Sequence, residues 1–157
     1  MKISVLSIGK TNDKYLLVGM DEFRKRLRHF VKVDWIELPE VKNRKGLSKV
    51  ELLDREEKLF NKQLKPSDYL LLLDEQGKTY SSVEFSNLLK KIMNAGVSNL
   101  VFLIGGPYGF SENLHKRSNG KVSLSKMTFT HQMVRLFFLE QLYRGFTILK
   151  NMPYHHE

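Results

Sequence analysis

Two short, unbroken apolar runs constrain this chain more than anything else in it. Residues 69–73 read Tyr-Leu-Leu-Leu-Leu, and residues 100–104 read Leu-Val-Phe-Leu-Ile. Neither run alternates, and each is too short for a helix. Strands with apolar side chains on both sides belong to the middle of a parallel sheet covered on both faces. The rest of the chain supplies the covering layers. Residues 3–8 and 31–38 read as strands, the second stopping at Pro39. Residues 14–28 place Tyr15, Leu16, Val18, Met20, Phe23 and Leu27 at helical spacing. Ser48 precedes a helical pattern with Glu51 three residues on, the spacing of a capping box, and that helix should stop before Pro66. Residues 74–78 form the turn after the first apolar run, and residues 82–94 a helix closed by Gly96. A short helix from Ser111, a brief strand over 121–124 and a final helix over 131–150 complete the order. Strands separated by helices imply an α/β fold with a mostly parallel sheet and helices on both faces. No linker or repeat divides the chain, so residues 1–157 read as a single domain.

The final helix carries a second constraint. Met133, Val134, Leu136, Phe137, Phe138, Leu139, Leu142, Tyr143, Phe146 and Leu149 surround its axis. A helix apolar all round must be buried all round. One side can face its own sheet, and a homodimer supplies the cover for the other most simply.

Composition removes several kinds of chemistry. There is no cysteine, so disulfides, thiolate metal sites and cysteine nucleophiles are excluded. No run approaches the roughly 20 apolar residues of a membrane span, and the first residues lack a signal peptide's long apolar centre. The expectation is a cytoplasmic protein without a membrane partner. No metal site is expected, because His131, His155 and His156 lack a helical His-x-x-x-His spacing. The charge is +9, with 26 basic and 17 acidic residues. The excess is densest at Arg24, Lys25, Arg26 and Arg28, and again at Lys42, Arg44 and Lys45. Either cluster alone is also what a solvated helix face or loop looks like. Together they point to a polyanion, and nucleic acid is the expected partner.

Two loops are candidates for a ligand. Gly105-Gly106-Pro107-Tyr108-Gly109 follows a buried strand but matches neither a Walker loop nor a dinucleotide fingerprint. Adjacent glycines allow close backbone approach to a ligand, and equally suit a tight turn with none. The adjacent carboxylates Asp74 and Glu75 are expected to be solvated. The segment Leu124-Ser125-Lys126-Met127-Thr128-Phe129 leads into the last helix, and the chain ends in Pro-Tyr-His-His-Glu.

These motifs resemble the SPOUT (α/β-knot) superfamily, within it the methyltransferases that act on N3 of pseudouridine in large-subunit rRNA. The resemblance rests on Leu-Ile-Gly-Gly-Pro-x-Gly, Leu-Ser-x-Met-Thr-Phe-x-His-x-x-x-Arg, Glu-Gln-Leu-Tyr-Arg at 140–144 and the Pro-Tyr-His end, in that order over essentially the whole chain. It implies a C-terminal trefoil knot, an exception to the unknotted rule, and S-adenosyl-L-methionine as cofactor. Its substrate would be pseudouridine 1915 of 23S rRNA within the 70S ribosome. It also implies an obligate dimer with each active site near the interface. Carried onto matching positions, the cofactor loops are Leu73, Gly105, and Leu124, Ser125, Lys126, Met127, Thr128 and Phe129. A sulfonium cofactor brings its own electrophile, so the protein must bind, orient and exclude water. The acceptor nitrogen must lose a proton, and His155, Tyr154, Arg135 and His131 are the catalytic candidates. His131 and Arg135 could instead only secure the first turn of the last helix. Thr130 stands where the family commonly has proline, and its hydroxyl can cap the helix in its place. A methyltransferase of another RNA such as tRNA, or a non-catalytic ribosome-binding module on the same fold, are the alternatives.

Overall fold

The computed structural model describes residues 1–156; Glu157, the last of the polar end, lies outside the described residues. Strand β1 (Lys2–Ile8) is followed by helix α1 (Lys14–Leu27), β2 (Val33–Leu38), α2 (Lys49–Asn61), β3 (Tyr69–Thr79), α3 (Ser82–Asn94), β4 (Asn99–Ile104), α4 (Glu112–Arg117), β5 (Gly120–Ser123) and α5 (Met133–Leu149). The basic loop before α2 contains a single 3-10 turn, Arg44–Gly46. Ser48 and Ser81 close capping boxes with Glu51 and Glu84, so α2 and α3 begin where their sequences place them.

The strands form one sheet in the order β2-β1-β4-β3-β5, every pair parallel. The two apolar runs become β3 and β4, side by side at its centre. Their side chains divide by parity. Leu71, Leu100, Phe102 and Ile104 pack with α1, α3 and α5, while Leu70, Leu72, Val101 and Leu103 pack with α2 and α4. Burying one such leucine or phenylalanine contributes about 1.5–3 kcal/mol, and Phe102 is sealed completely beneath Phe138, their rings 4.7 Å apart.

One strand differs from expectation. Residues 74–77 do not end β3; they leave the ladder and return to it. Leu73 and Lys78 both lie opposite Val122, so the strand continues to Thr79 beyond the excursion. Gly77 makes this possible, because a Cβ there would lie 2.8 Å from the backbone of Lys121 and Val122. The side-chain pattern cannot reveal a backbone approach of that kind.

Helix α5 lies between α1 and α3, and its first turn is clamped to the loop after β1. Gln132 donates to the Lys10 carbonyl at 2.9 Å and accepts from the Asn12 amide at 3.0 Å. Beneath it the Arg135 side chain is fully buried. Its guanidinium donates to the Ile8 carbonyl (2.8 Å), the Thr11 hydroxyl (2.8 Å), the His131 carbonyl (3.0 Å) and the Glu37 carboxylate (3.4 Å). Burial lowers its pKa, and the charges of Glu37 and Glu40 oppose that shift. An arginine so held remains a cation. Replacing Arg135 with leucine leaves the buried Ile8 carbonyl without its donor and Glu37 without its cation, and should cost about 3 kcal/mol of folding stability. Urea unfolding at matched protein concentration measures this; a loss under about 1 kcal/mol would show that the clamp is dispensable.

Candidate active site

A cleft of about 780 Å³ opens at the C-terminal ends of β3, β4 and β5, the edge where parallel sheets bind ligands. Three walls meet there. Leu73 with Asp74 to Gln76 comes from the β3 excursion, Ile104 with the glycine loop from β4, and Leu124, Ser125, Met127, Thr128, Phe129, Thr130 and His131 from the segment after β5. Seven of the eight positions expected to hold a cofactor therefore line one space. Lys126 does not; its side chain is exposed.

The glycine loop is a closed turn as well as a wall. Gly109, at φ 80°, donates its amide to the Gly106 carbonyl at 3.1 Å. A Cβ on Gly105 would lie 2.6 Å from the Gly109 carbonyl oxygen, and one on Gly106 would lie 2.7 Å from Glu56 Oε1. Glu56 projects from α2, is almost wholly buried, and accepts a hydrogen bond from the Gly106 amide. Burial raises its pKa, while that amide and Arg44 lower it and Glu40 adds to the rise. No sequence motif marks Glu56, because its partner is a backbone group fifty residues away.

Opposite this wall, Asp74 accepts the Gln76 amide at 2.8 Å and places Oδ2 3.8 Å from Nε2 of His115 on α4. Expected to be solvated, Asp74 has a side chain only 11% exposed; Glu75 is exposed as expected. Nδ1 of His115 is buried with no hydrogen-bond partner. Buried aspartate and imidazole on a cleft wall are ready partners for hydroxyl or amine groups. The third wall holds itself in shape. Ser123 Oγ donates to the Ser125 carbonyl at 2.8 Å, and Ser125 Oγ accepts the Met127 amide at 2.9 Å. Phe129 rests on Phe137, ring centres 4.7 Å apart. Thr130 Oγ1 accepts the Met133 amide at 3.1 Å, the capping role anticipated for a threonine in place of proline.

The four catalytic candidates are not gathered. His131 lines the cleft and is exposed, whereas Arg135 is buried below it. Tyr154 and His155 follow the other end of α5 and fold back along it toward its middle. There Tyr154 donates to Glu140 at 3.1 Å, packs on Tyr143 and lies beneath Arg144, and Arg144 sits 3.4 Å from His155 Nδ1. Burial and the Glu140 charge raise the Tyr154 pKa. The basic clusters separate likewise. On α1, Lys25 and Arg26 pair with Asp21 and Glu22 while Arg26 also stacks on Tyr143, so Arg24 to Arg28 flank the chain's end. Arg44 and Lys45 instead line a groove beside Tyr108, with Lys42 on the same exposed loop.

Among the described residues, no cluster of three or more His, Cys, Asp or Glu could hold a metal ion, and no helix is long and apolar enough to cross a membrane. The family model described as "Predicted SPOUT methyltransferase" matches residues 1–155. The chain belongs to the SPOUT methyltransferase family. It is therefore a methyltransferase, and enzymes of this family use S-adenosyl-L-methionine. The ribosomal RNA large subunit methyltransferase H of Flavobacterium johnsoniae is 56% identical over 157 residues, covering all of both chains. Its namesake in Cytophaga hutchinsonii is 54% identical over 156 residues, covering 99% of this chain and all of the other. A crystal structure of a probable methyltransferase from Bordetella pertussis shares the SPOUT chain's fold at 8% identity, with a TM-score of 0.54 over 92% of this chain and 96% of that one.

Folding raises the Glu56 pKa, so the folded chain holds that proton more tightly than the unfolded one. Stability from this group is then complete below the ordinary glutamate value of 4.5 and declines as pH rises above it. Glu56→Gln keeps an oxygen for the Gly106 amide and removes the charge. Its stability relative to the native chain should be higher at pH 7 than at about pH 4 in urea titrations; a pH-independent difference would contradict a buried, titrating Glu56.

Proposed function

We propose that the chain is the S-adenosyl-L-methionine-dependent enzyme that methylates N3 of pseudouridine 1915 in 23S rRNA of the assembled 70S ribosome. The observation that carries this reading is the convergence of three loops in one cleft, in a chain that matches large-subunit rRNA methyltransferases along its whole length. The cleft suits the cofactor: apolar Leu73, Ile104, Leu124 and Val134 offer a flat aromatic base a dry surface, and Asp74 and His115 offer polar partners. The bound cofactor supplies a methyl group on a sulfonium, which is electrophilic without a metal. Leu73, Gly105 and residues 124–129 bind and orient it. His131, at the mouth, is placed to face the acceptor base.

The fold reading extends to a trefoil knot. In its support, only eight residues, 124–131, connect β5, at the β3 edge of the sheet, to Gln132, which is bonded beside β1. That short crossing spans the ends of β3 and β4. The whole unit acts as one domain over residues 1–157, working where ribosomes are, in the cytoplasm.

The functional unit is a homodimer. Tyr15 and Val18 on α1 are 64% and 72% exposed, and Phe137 on α5 is 39% exposed; Tyr15 touches Met133 at 3.6 Å, joining the two helices into one apolar face. A second copy packed antiparallel on that face would lay its Tyr154 and His155 near this chain's cleft. Tyr154 gives its hydroxyl proton to Glu140 and so meets the target base as a hydrogen-bond acceptor, which leaves proton removal to His155 or His131. Arg135 supports His131 through its carbonyl.

The protein supplied with labelled cofactor should methylate ribosomes and not tRNA. Labelling of tRNA would assign a different substrate, and ribosome binding without cofactor affinity would indicate a non-catalytic module. A mixed dimer tests the tail. One chain ends at Pro153, and the other carries Gly105→Val, which the Gly109 contact predicts to block the cleft. Each homodimer should be inactive, and the mixture should regain one working site per mixed dimer. No recovery would refute a tail acting across the interface.

A further inference from the structure

Beside the cleft lies a second, smaller groove of about 330 Å³, lined by Arg44, Lys45, Lys49 and Tyr108 among others. It is continuous with the cleft, because Lys49, Pro107 and Tyr108 border both. Tyr108 is 57% exposed at the tip of the glycine loop, although the turn itself is closed by backbone bonds and does not need an aromatic ring there. The Lys49 ammonium stands 6.0 Å from the centre of that ring. Arg44 is paired with Glu40 at 3.0 Å, whereas among the described residues Lys45 and Lys49 have no carboxylate within ion-pair distance.

A flat ring open to solvent, with two ammonium groups beside it that have no carboxylate partner among the described residues, matches an unpaired nucleotide. Such a ligand brings one aromatic base face and one phosphodiester anion. A duplex would not fit this description, since its base faces are already stacked. We propose that Tyr108 and Lys49 form a subsite for the unpaired rRNA nucleotide next to the target base, the ring stacking on the base and Lys49 with Lys45 holding its phosphate. The proposal rests on the reading of the chain as an rRNA methyltransferase. It distinguishes the two basic clusters, giving the 42–45 loop the strand that enters the cleft.

The test uses the full chain and three variants, with ribosome binding followed by co-sedimentation, methyl transfer by labelled cofactor, and cofactor affinity by calorimetry. Tyr108→Ala should weaken ribosome binding and raise the ribosome KM about tenfold, with kcat and cofactor affinity unchanged. Tyr108→Phe, which keeps the ring, should stay within about twofold of the native chain. Lys49→Gln should reduce the slope of log affinity against log salt by about one. Unchanged ribosome binding in Tyr108→Ala would overturn the subsite. So would lost cofactor affinity at unchanged ribosome binding, which would assign Tyr108 to the cofactor, or an equal loss in Tyr108→Phe. Because binding is read without catalysis, a native chain that methylates nothing sinks the proposed function and still leaves the subsite decided by co-sedimentation.

Discussion

The buried guanidinium of Arg135 is the interaction on which the site's geometry depends. Moving a charge out of water costs several kcal/mol unless every donor finds a partner. Here the partners come from four places: the end of β1, the loop at Thr11, the exposed end of β2 at Glu37, and the preceding turn at His131. Thr11 completes the arrangement by giving both its amide and its hydroxyl to Glu37, at 2.9 and 2.7 Å. Satisfying one side chain thus fixes where α5 starts relative to β1. Since residues 124–131 are strung between β5 and that start, the third wall of the cleft inherits its position from Arg135.

The sheet provides the other half of the construction. With all strands parallel, every strand delivers its following loop to the same edge, and the three that matter leave β3, β4 and β5. The apolar runs made this much legible, because continuous hydrophobicity reports burial on two faces and therefore a central strand. The capping box at Ser48 was legible for a similar reason: both partners lie within four residues. Contacts between distant backbone and side chain were not. Gly77 against β5 and Glu56 against Gly106 leave no periodicity behind, and Asp74 resembled any solvated turn carboxylate until α4 brought His115 to it. The motif resemblance proposed a cofactor role for residues 124–129 where pattern alone showed only a loop; of these, Lys126 is exposed and does not line the cleft.

The all-round apolarity of α5 illustrates a third kind of legibility. Most of its surface is covered within the chain: Phe138, Leu139, Leu142 and Phe146 are buried on the sheet, and Leu136 packs where Gly19 of α1 leaves room. Its hydrophobicity therefore does not require a partner at every position. The unmet remainder on α5 is Phe137, with Tyr15, Leu17 and Val18 exposed on the adjoining α1. That localisation is more informative than the helical pattern, because it specifies which face a second copy would cover.

The position of the tail then bears on how a second copy would lie in the proposed dimer. Tyr154 folds back along α5 only as far as Glu140, nine residues or roughly 13 Å of helix from His131, so within one chain it stops short of the cleft. Glu140 and Arg144 hold the tail there, against the middle of α5. Parallel packing of two copies would put tail beside tail and cleft beside cleft. Antiparallel packing of the proposed dimer would turn each tail toward the other chain's cleft and bring Arg24, Arg26 and Arg28 along with it, because Arg26 stacks on the Tyr143 that the tail also touches. The two basic clusters, distant within one chain, would then flank a single cleft from opposite sides. A polyanion spanning both would meet positive charge only when the dimer is formed, so the same interface would govern catalysis and substrate affinity together.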